Sequence, residues 1–180
     1  MQKLSFTVLF ALVALAEAAL AQTFTLKQTF PNPTPKLDDR FGNAVAAVGD
    51  KILVGASLDD TLGFTSSGAA YLFGAASSTP LLTIISPNPA TNALFGAAVA
   101  AFGDDLLIGA PGENKVYLFD GDTGGLLATF SNPEPTADEF GFAIAVAGSN
   151  VLIGAPAFAV GIANNVGRAY LFDAGGDSLG

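Results

Sequence analysis

Apolar and polar positions along this chain fall into a phrase that is stated three times. Residues 41–56 read FGNAVAAVGDKILVGA, residues 95–110 read FGAAVAAFGDDLLIGA, and residues 140–155 read FGFAIAVAGSNVLIGA. A shorter apolar run follows each copy: AAYLF at 69–73, KVYLF at 115–119 and RAYLF at 168–172. The Phe-Gly pairs lie 54 and then 45 residues apart, a spacing that marks a repeat architecture. One such unit cannot bury its own apolar face, so the fold belongs to the array.

Each long phrase predicts a tight β-hairpin. Phe41 to Val48 leads into Gly49-Asp50, and Lys51 to Gly55 returns; the other copies turn at Gly103-Asp104 and at Gly148-Ser149-Asn150. Gly, Asp and Asn tolerate the positive φ that such turns require. The returning runs ILVGA, LLIGA and VLIGA are dense in branched apolar residues, as in strands covered on both faces. The Tyr-Leu-Phe run supplies a third strand, whose alternation sets Tyr and Phe on one face and Leu on the other. LLTII at 81–85 and LLATF at 126–130 supply a fourth, and a proline-rich connector leads on to the next Phe-Gly. Four short strands per repeat predict an all-β fold of propeller blades, about three of them, and not a helical solenoid.

The repeats divide as 38–91, 92–139 and 140–180, within a region spanning 22–180. The third unit stops after Tyr-Leu-Phe, while TFTLKQTFPNPTP at 23–35 reads as an orphan fourth strand with its connector. The N-terminal strand is therefore expected to complete the last blade, which is how a ring hides its edges. Three blades fall short of the usual propeller count of about four to eight. The abrupt close on Gly-Asp-Ser-Leu-Gly favours a piece of a longer protein, with assembly of copies (a homo-oligomer) as the alternative.

Composition narrows the chemistry. Of 180 residues, 51% are hydrophobic and 13% charged, enough for a packed core. The net charge of −9 argues against nucleic acid and anionic membrane as partners. The chain has no Cys and no His, which excludes thiol chemistry, a Ser-His-Asp triad and imidazole metal ligands. Residues 1–21 differ in kind: Lys3, an apolar run to Ala16, then Ala19-Leu20-Ala21 fit a secretory signal peptide. That run is short of the roughly 20 apolar residues of a membrane span, and Glu17 interrupts it. The expected location is extracellular, periplasmic or at the cell surface, with no span after cleavage.

Phe41-Gly42, Phe95-Gly96 and Phe140-Gly141 precede Gly55-Ala56-Ser57, Gly109-Ala110-Pro111 and Gly154-Ala155-Pro156. This pattern resembles the FG-GAP repeat, the blade motif of the integrin α-subunit propeller and of many secreted bacterial proteins. The resemblance runs over roughly residues 28–180, with Ser57 replacing the final Pro of the first copy. It implies a β-propeller used for binding or adhesion. Relatives often hold an Asp-rich calcium loop between the two halves of the motif, but here that stretch is a bare turn: VGDK, FGDD or AGSN. A calcium site needs about six to eight oxygens from a wrapping loop, so no calcium, and no other cofactor, is expected there.

The remaining candidates are few. Asp120 and Asp122, in Asp120-Gly121-Asp122-Thr123-Gly124, form a weak cation candidate that reads better as a hairpin turn. Asp59 and Asp60 lie in the long loop between second and third strands of the first unit, and Phe158, Val160 and Ile162 lie in its counterpart in the third. Long variable loops on rigid blades are where binding residues concentrate. Asp38-Asp39 and Asp138-Glu139 read as solvated connector charge and not as paired catalytic carboxylates. The expected function is a secreted, non-enzymatic scaffold recognising a protein or a glycan. The alternatives are an oligomeric lectin-like propeller and the non-catalytic part of a larger extracellular enzyme.

Overall fold

A computed structural model describes residues 25–134, 138–160 and 165–173, and the leader proposed at 1–21 lies outside them. Among the described residues, eleven strands form three antiparallel sheets. The first blade is β1 (Phe41–Val48), β2 (Lys51–Ala56), β3 (Ala69–Gly74) and β4 (Pro80–Ile85), in spatial order β1-β2-β3-β4. The second is β5 (Val99–Phe102), β6 (Asp105–Ala110), β7 (Lys115–Phe119) and β8 (Leu126–Ser131), in the same order. The third holds β9 (Ala143–Ala147), β10 (Asn150–Ala155) and β11 (Arg168–Phe172), with β10 central. A 3-10 turn at Pro111–Glu113 links β6 to β7, and the described residues contain no α-helix. The first strands β1, β5 and β9 lie side by side along the array, the sheets do not close into a ring, and this is a row of propeller-type blades.

The blades stack through two alternating faces. Opposed Leu pairs sit at one register in every blade: Leu53 with Leu72, Leu107 with Leu118, and Leu152 with Leu171. Leu53, Leu72 and Ile84 of the first blade pack against Phe95, Ile108, Tyr117 and Phe119 of the second. Leu107, Leu118 and Phe130 of the second then pack against Phe140, Ile153 and Phe172 of the third. Thus the Leu face of each blade receives the Phe-Tyr face of the next, and period-2 alternation along the strand generates both faces. Within the blade, Phe95 meets Phe119 edge-on at a centroid distance of 6.0 Å, and Phe140 meets Phe172 likewise at 5.8 Å.

Two glycines make this stacking possible. A methyl group added at Gly55 would collide with the Gly96 carbonyl oxygen, and one added at Gly109 with that of Gly141. The motif's two halves are therefore partners across blades: the Gly of Gly-Ala receives the Gly of the following Phe-Gly. Gly96 and Gly141 also hold φ of +87° and +95°, where a side chain is strained.

One expectation needs correction. Residues 25–30 form no strand and do not complete the third blade, which has three strands among the described residues. Instead Phe30 lies on the first blade, 5.2 Å from the Phe73 ring. It takes the place that Phe130 takes against Phe172 at 5.5 Å. In an open row the first and third blades stand at opposite ends, and the nearest apolar surface open to Phe30 is that of its own blade.

Candidate functional site

Antiparallel connectivity sorts the loops to two ends of each blade. The β1–β2 and β3–β4 turns share one end. The β2–β3 loops and the interblade connectors share the other, and that end carries most of the polar structure.

There, each of the first two blades pairs a buried tyrosine with an acid. Tyr71 donates to Asp59 at 2.7 Å, with the Thr34 hydroxyl 2.8 Å from the phenol oxygen. Tyr117 donates to Glu113, which also accepts from Ser86 at 2.6 Å. Burial, reinforced by the neighbouring carboxylate, pushes both phenols up to about 12. Asp59 and Glu113 occupy the same place, three residues after the Ala of Gly-Ala, and that register shared with Tyr-Leu-Phe is a signal the sequence reading missed. The third blade has Phe158 at this place, and the buried Tyr170 hydroxyl has no hydrogen-bond partner among the described residues. The Arg168 guanidinium covers Phe158 at 3.7 Å from the ring centroid and bonds Glu134 at 3.0 Å.

The sequence-derived candidates separate into inward and outward groups. Asp59 is buried and holds Tyr71, and its carbonyl accepts from the Gly68 amide at 2.8 Å, so it is a loop anchor unavailable to a ligand. Phe158 is buried too, and its carbonyl receives the amides of Val166 and Gly167. Packing on the blade is what removes both side chains from the protein surface. Asp60 is exposed and accepts from the Ser66 amide at 2.8 Å, while Val160 is exposed. Ile162 lies outside the described residues.

At the opposite end, Asp120 and Asp122 diverge. Asp120 Oδ1 accepts from the amides of Asp122 and Thr123 and from the Thr123 hydroxyl, which hold its carboxyl below the ordinary value. Asp122 instead accepts from Lys51 of the first blade at 2.6 Å. One carboxylate closes its turn and the other ties two blades together. Among the described residues no group of three or more acids is placed to hold a metal ion.

Of the connector acids expected as solvated charge, Asp38 and Glu139 are exposed, but their neighbours are not. Asp39 and Asp138 are buried. Asp39 accepts from Asn32 at 2.7 Å and from the Lys36 amide, and Asp138 accepts from Asn132 at 2.7 Å. The Asn oxygens in turn accept from the amides of Thr34 and Glu134 at 3.0 Å. Each Asn thus folds its connector into a side-chain turn and fixes it to the acid two residues before Phe-Gly, which aims the phenylalanine into the next interface.

Blades of this form, with a paired Phe-Gly and Gly-Ala contact at each junction, define an open β-propeller-type repeat array. Residues 36–73 match the FG-GAP repeat family, and the two later copies repeat the motif of that stretch in register. No curated protein matches the chain. Among solved structures, the crystal structure of the computationally designed Ika8 protein is similar, with a TM-score of 0.52 at 17% identity. The likeness covers 76% of this chain and 35% of the designed one, so the chain spans about a third of that protein's length. At that identity the likeness is one of fold alone. No helix among the described residues is long and apolar enough to cross a membrane.

Proposed function

We propose that this chain is a secreted, non-enzymatic binding or adhesion scaffold that recognises a protein partner through the β2–β3 loops and connectors at one end of its blades. An FG-GAP repeat supports a binding-type propeller scaffold in general. The observation that carries the finer reading is the outward placement of apolar side chains on that end. Leu62 and Phe64 of the first blade's loop, Val160 and Val166 of the third blade's loop and Leu37 of the first connector are all exposed. The loops beneath them are held by buried anchors: Asp59 with Tyr71 in the first blade and Phe158 under Arg168 in the third. Exposed apolar tips on fixed loops suit a protein partner, because their binding forfeits little loop entropy.

The test is a binding screen of the purified chain on immobilised extracellular proteins and, in parallel, on a glycan array. The expected result is a protein hit that is lost on Leu62→Ser with Phe64→Ser at an unchanged melting temperature. Hits confined to the glycan array, or binding indifferent to these loops, would overturn the proposal.

A further inference from the structure

Among the described residues the third blade is the last of the row, with a face that both internal junctions show how to fill. Its Leu152–Leu171 pair is 39% and 40% exposed, whereas Leu53, Leu72 and Leu107 at the same register are fully covered by the next blade. Around that pair lies a shallow groove lined by Ala143, Ala145, Leu152, Gly154 and Ala169. Gly154 stands where Gly55 and Gly109 stand, yet no following Phe-Gly meets it: its nearest neighbour is the Ala143 methyl group.

The complementary half is at the other end of the same chain. Gly42 is the counterpart of Gly96 and Gly141 and has the same backbone, with φ of +89°, but a methyl group there would touch nothing within 4 Å. Phe41 beside it is only half-buried, whereas Phe95 and Phe140 are fully enclosed in their junctions. Phe30 already lies against Phe73 as the fourth-strand Phe130 lies against Phe172. The first blade thus carries the corner, with Phe30 seated where a preceding blade's fourth strand would place its phenylalanine, and the third blade carries the socket and lacks a fourth strand among the described residues.

We infer that the Leu152–Gly154–Leu171 face of the third blade docks the Phe41-Gly42 corner of a second copy of this chain, placing the copy's residues 25–30 beside β11. The junction reproduces the two inside the chain, residue for residue: Gly154 receives Gly42 as Gly109 receives Gly141. It is a head-to-tail contact, and such contacts form rings when their rotation closes. Two copies supply six blades of those described, inside the usual propeller range of about four to eight. The occupant is therefore one further copy, joined through two equal junctions. This inference stands apart from the loop-binding proposal, since the docking face lies on the sheet and not at the loop end.

The experiment is a light-scattering mass measurement of the full chain across a concentration series. The expected result is a shift from 18.1 kDa to twice that mass as concentration rises. Leu171→Glu, at an exposed position, is expected to hold the chain at the single mass with unchanged dilute-solution melting, and Gly154→Val, at a half-buried position where an added methyl group meets the Ala143 methyl at 3.3 Å, is expected to hold it at the single mass as well. Gly42→Asn tolerates the positive φ but fills the corner, and it is expected to block the shift as well. Mixing Gly42→Asn with Gly154→Val restores one intact junction and is expected to recover a dimer. A chain that stays at the single mass to millimolar concentration overturns the inference. So does a dimer that survives Gly154→Val and Leu171→Glu.

Discussion

Replacing Gly109 by alanine is a sharp test of how the blades meet, because the chain contains its own control at Gly154. A methyl group at Gly109 would meet the Ala98 methyl at 3.4 Å and collide with the Gly141 carbonyl, while the nearest atoms to one at Gly154 all belong to the corresponding Ala143, its methyl at 3.3 Å. The two sites therefore differ by the presence of the next blade's Phe-Gly corner. Overpacking costs about 1–3 kcal/mol, and the upper part of that range applies where the obstacle is backbone that cannot rotate away. Relief of glycine's excess chain entropy returns about 0.5–1 kcal/mol at both sites. Gly109→Ala is then expected to lose about 2 kcal/mol, and Gly154→Ala to stay within about 0.5 kcal/mol of the parent. For a chain of this size that separates the melting temperatures by about 4–8 °C. Thermal melts followed by circular dichroism at low concentration, where copies do not associate, read the difference directly. Equal shifts for the two variants would refute the claim that Phe-Gly packs onto the preceding Gly-Ala.

Phe140→Ala, which empties a fully enclosed ring site against Tyr170 and Phe172, is expected to cost about 3–5 kcal/mol by urea denaturation. Phe158→Ala is expected to cost several-fold more stability than Val160→Ser, because the first side chain is buried and the second exposed, and the same denaturation series compares them. The raised phenols of Tyr71 and Tyr117 predict alkaline sensitivity. The unfolded chain releases their protons near the ordinary value of 10.0 and the folded chain near 12, so stability is intact below the first value and falls as pH rises toward the second. Asp59→Asn removes one of the contacts that raise Tyr71, and an ultraviolet titration of phenolate is expected to show one tyrosine ionising earlier while remaining above 10.0, since burial is the larger cause. Lys51→Met breaks an exposed tie to Asp122 and is expected to leave the melting temperature nearly unchanged.

Strand positions were legible because their causes are local. The hairpin read as Phe41–Val48, Gly49-Asp50 and Lys51–Gly55 is observed as β1 and β2 with one more residue, and LLTII and LLATF are observed as β4 and β8 with one more each. The split into a Tyr-Phe face and a Leu face, read from alternation, is observed in the two interblade clusters. What stayed hidden depends on which blade faces which. Gly55 and Gly96 lie far apart in sequence, and nothing in either hairpin says that they touch. The tyrosine–acid pairs were obscured by loops of unequal length, although Asp59 and Glu113 keep a fixed distance from Gly-Ala. The connector acids misled for another reason: Asp39 and Asp138 look like solvent charge until Asn32 and Asn132 fold back and bury them. Among the loop candidates, sequence alone could not tell the anchors Asp59 and Phe158 from the outward Asp60 and Val160, because the turn of the loop decides.

The central claim is that three FG-GAP-type blades stack with each Phe-Gly glycine seated on the Gly-Ala glycine of the blade before it. Interproton contacts measured by nuclear magnetic resonance on the isotope-labelled chain test this most directly. The account predicts cross-blade contacts between Gly55 and Gly96 and between Gly109 and Gly141, together with contacts from Phe95 to Leu53 and from Phe140 to Leu107. Intact strand contacts within each sheet, with both glycine pairs silent, would contradict it.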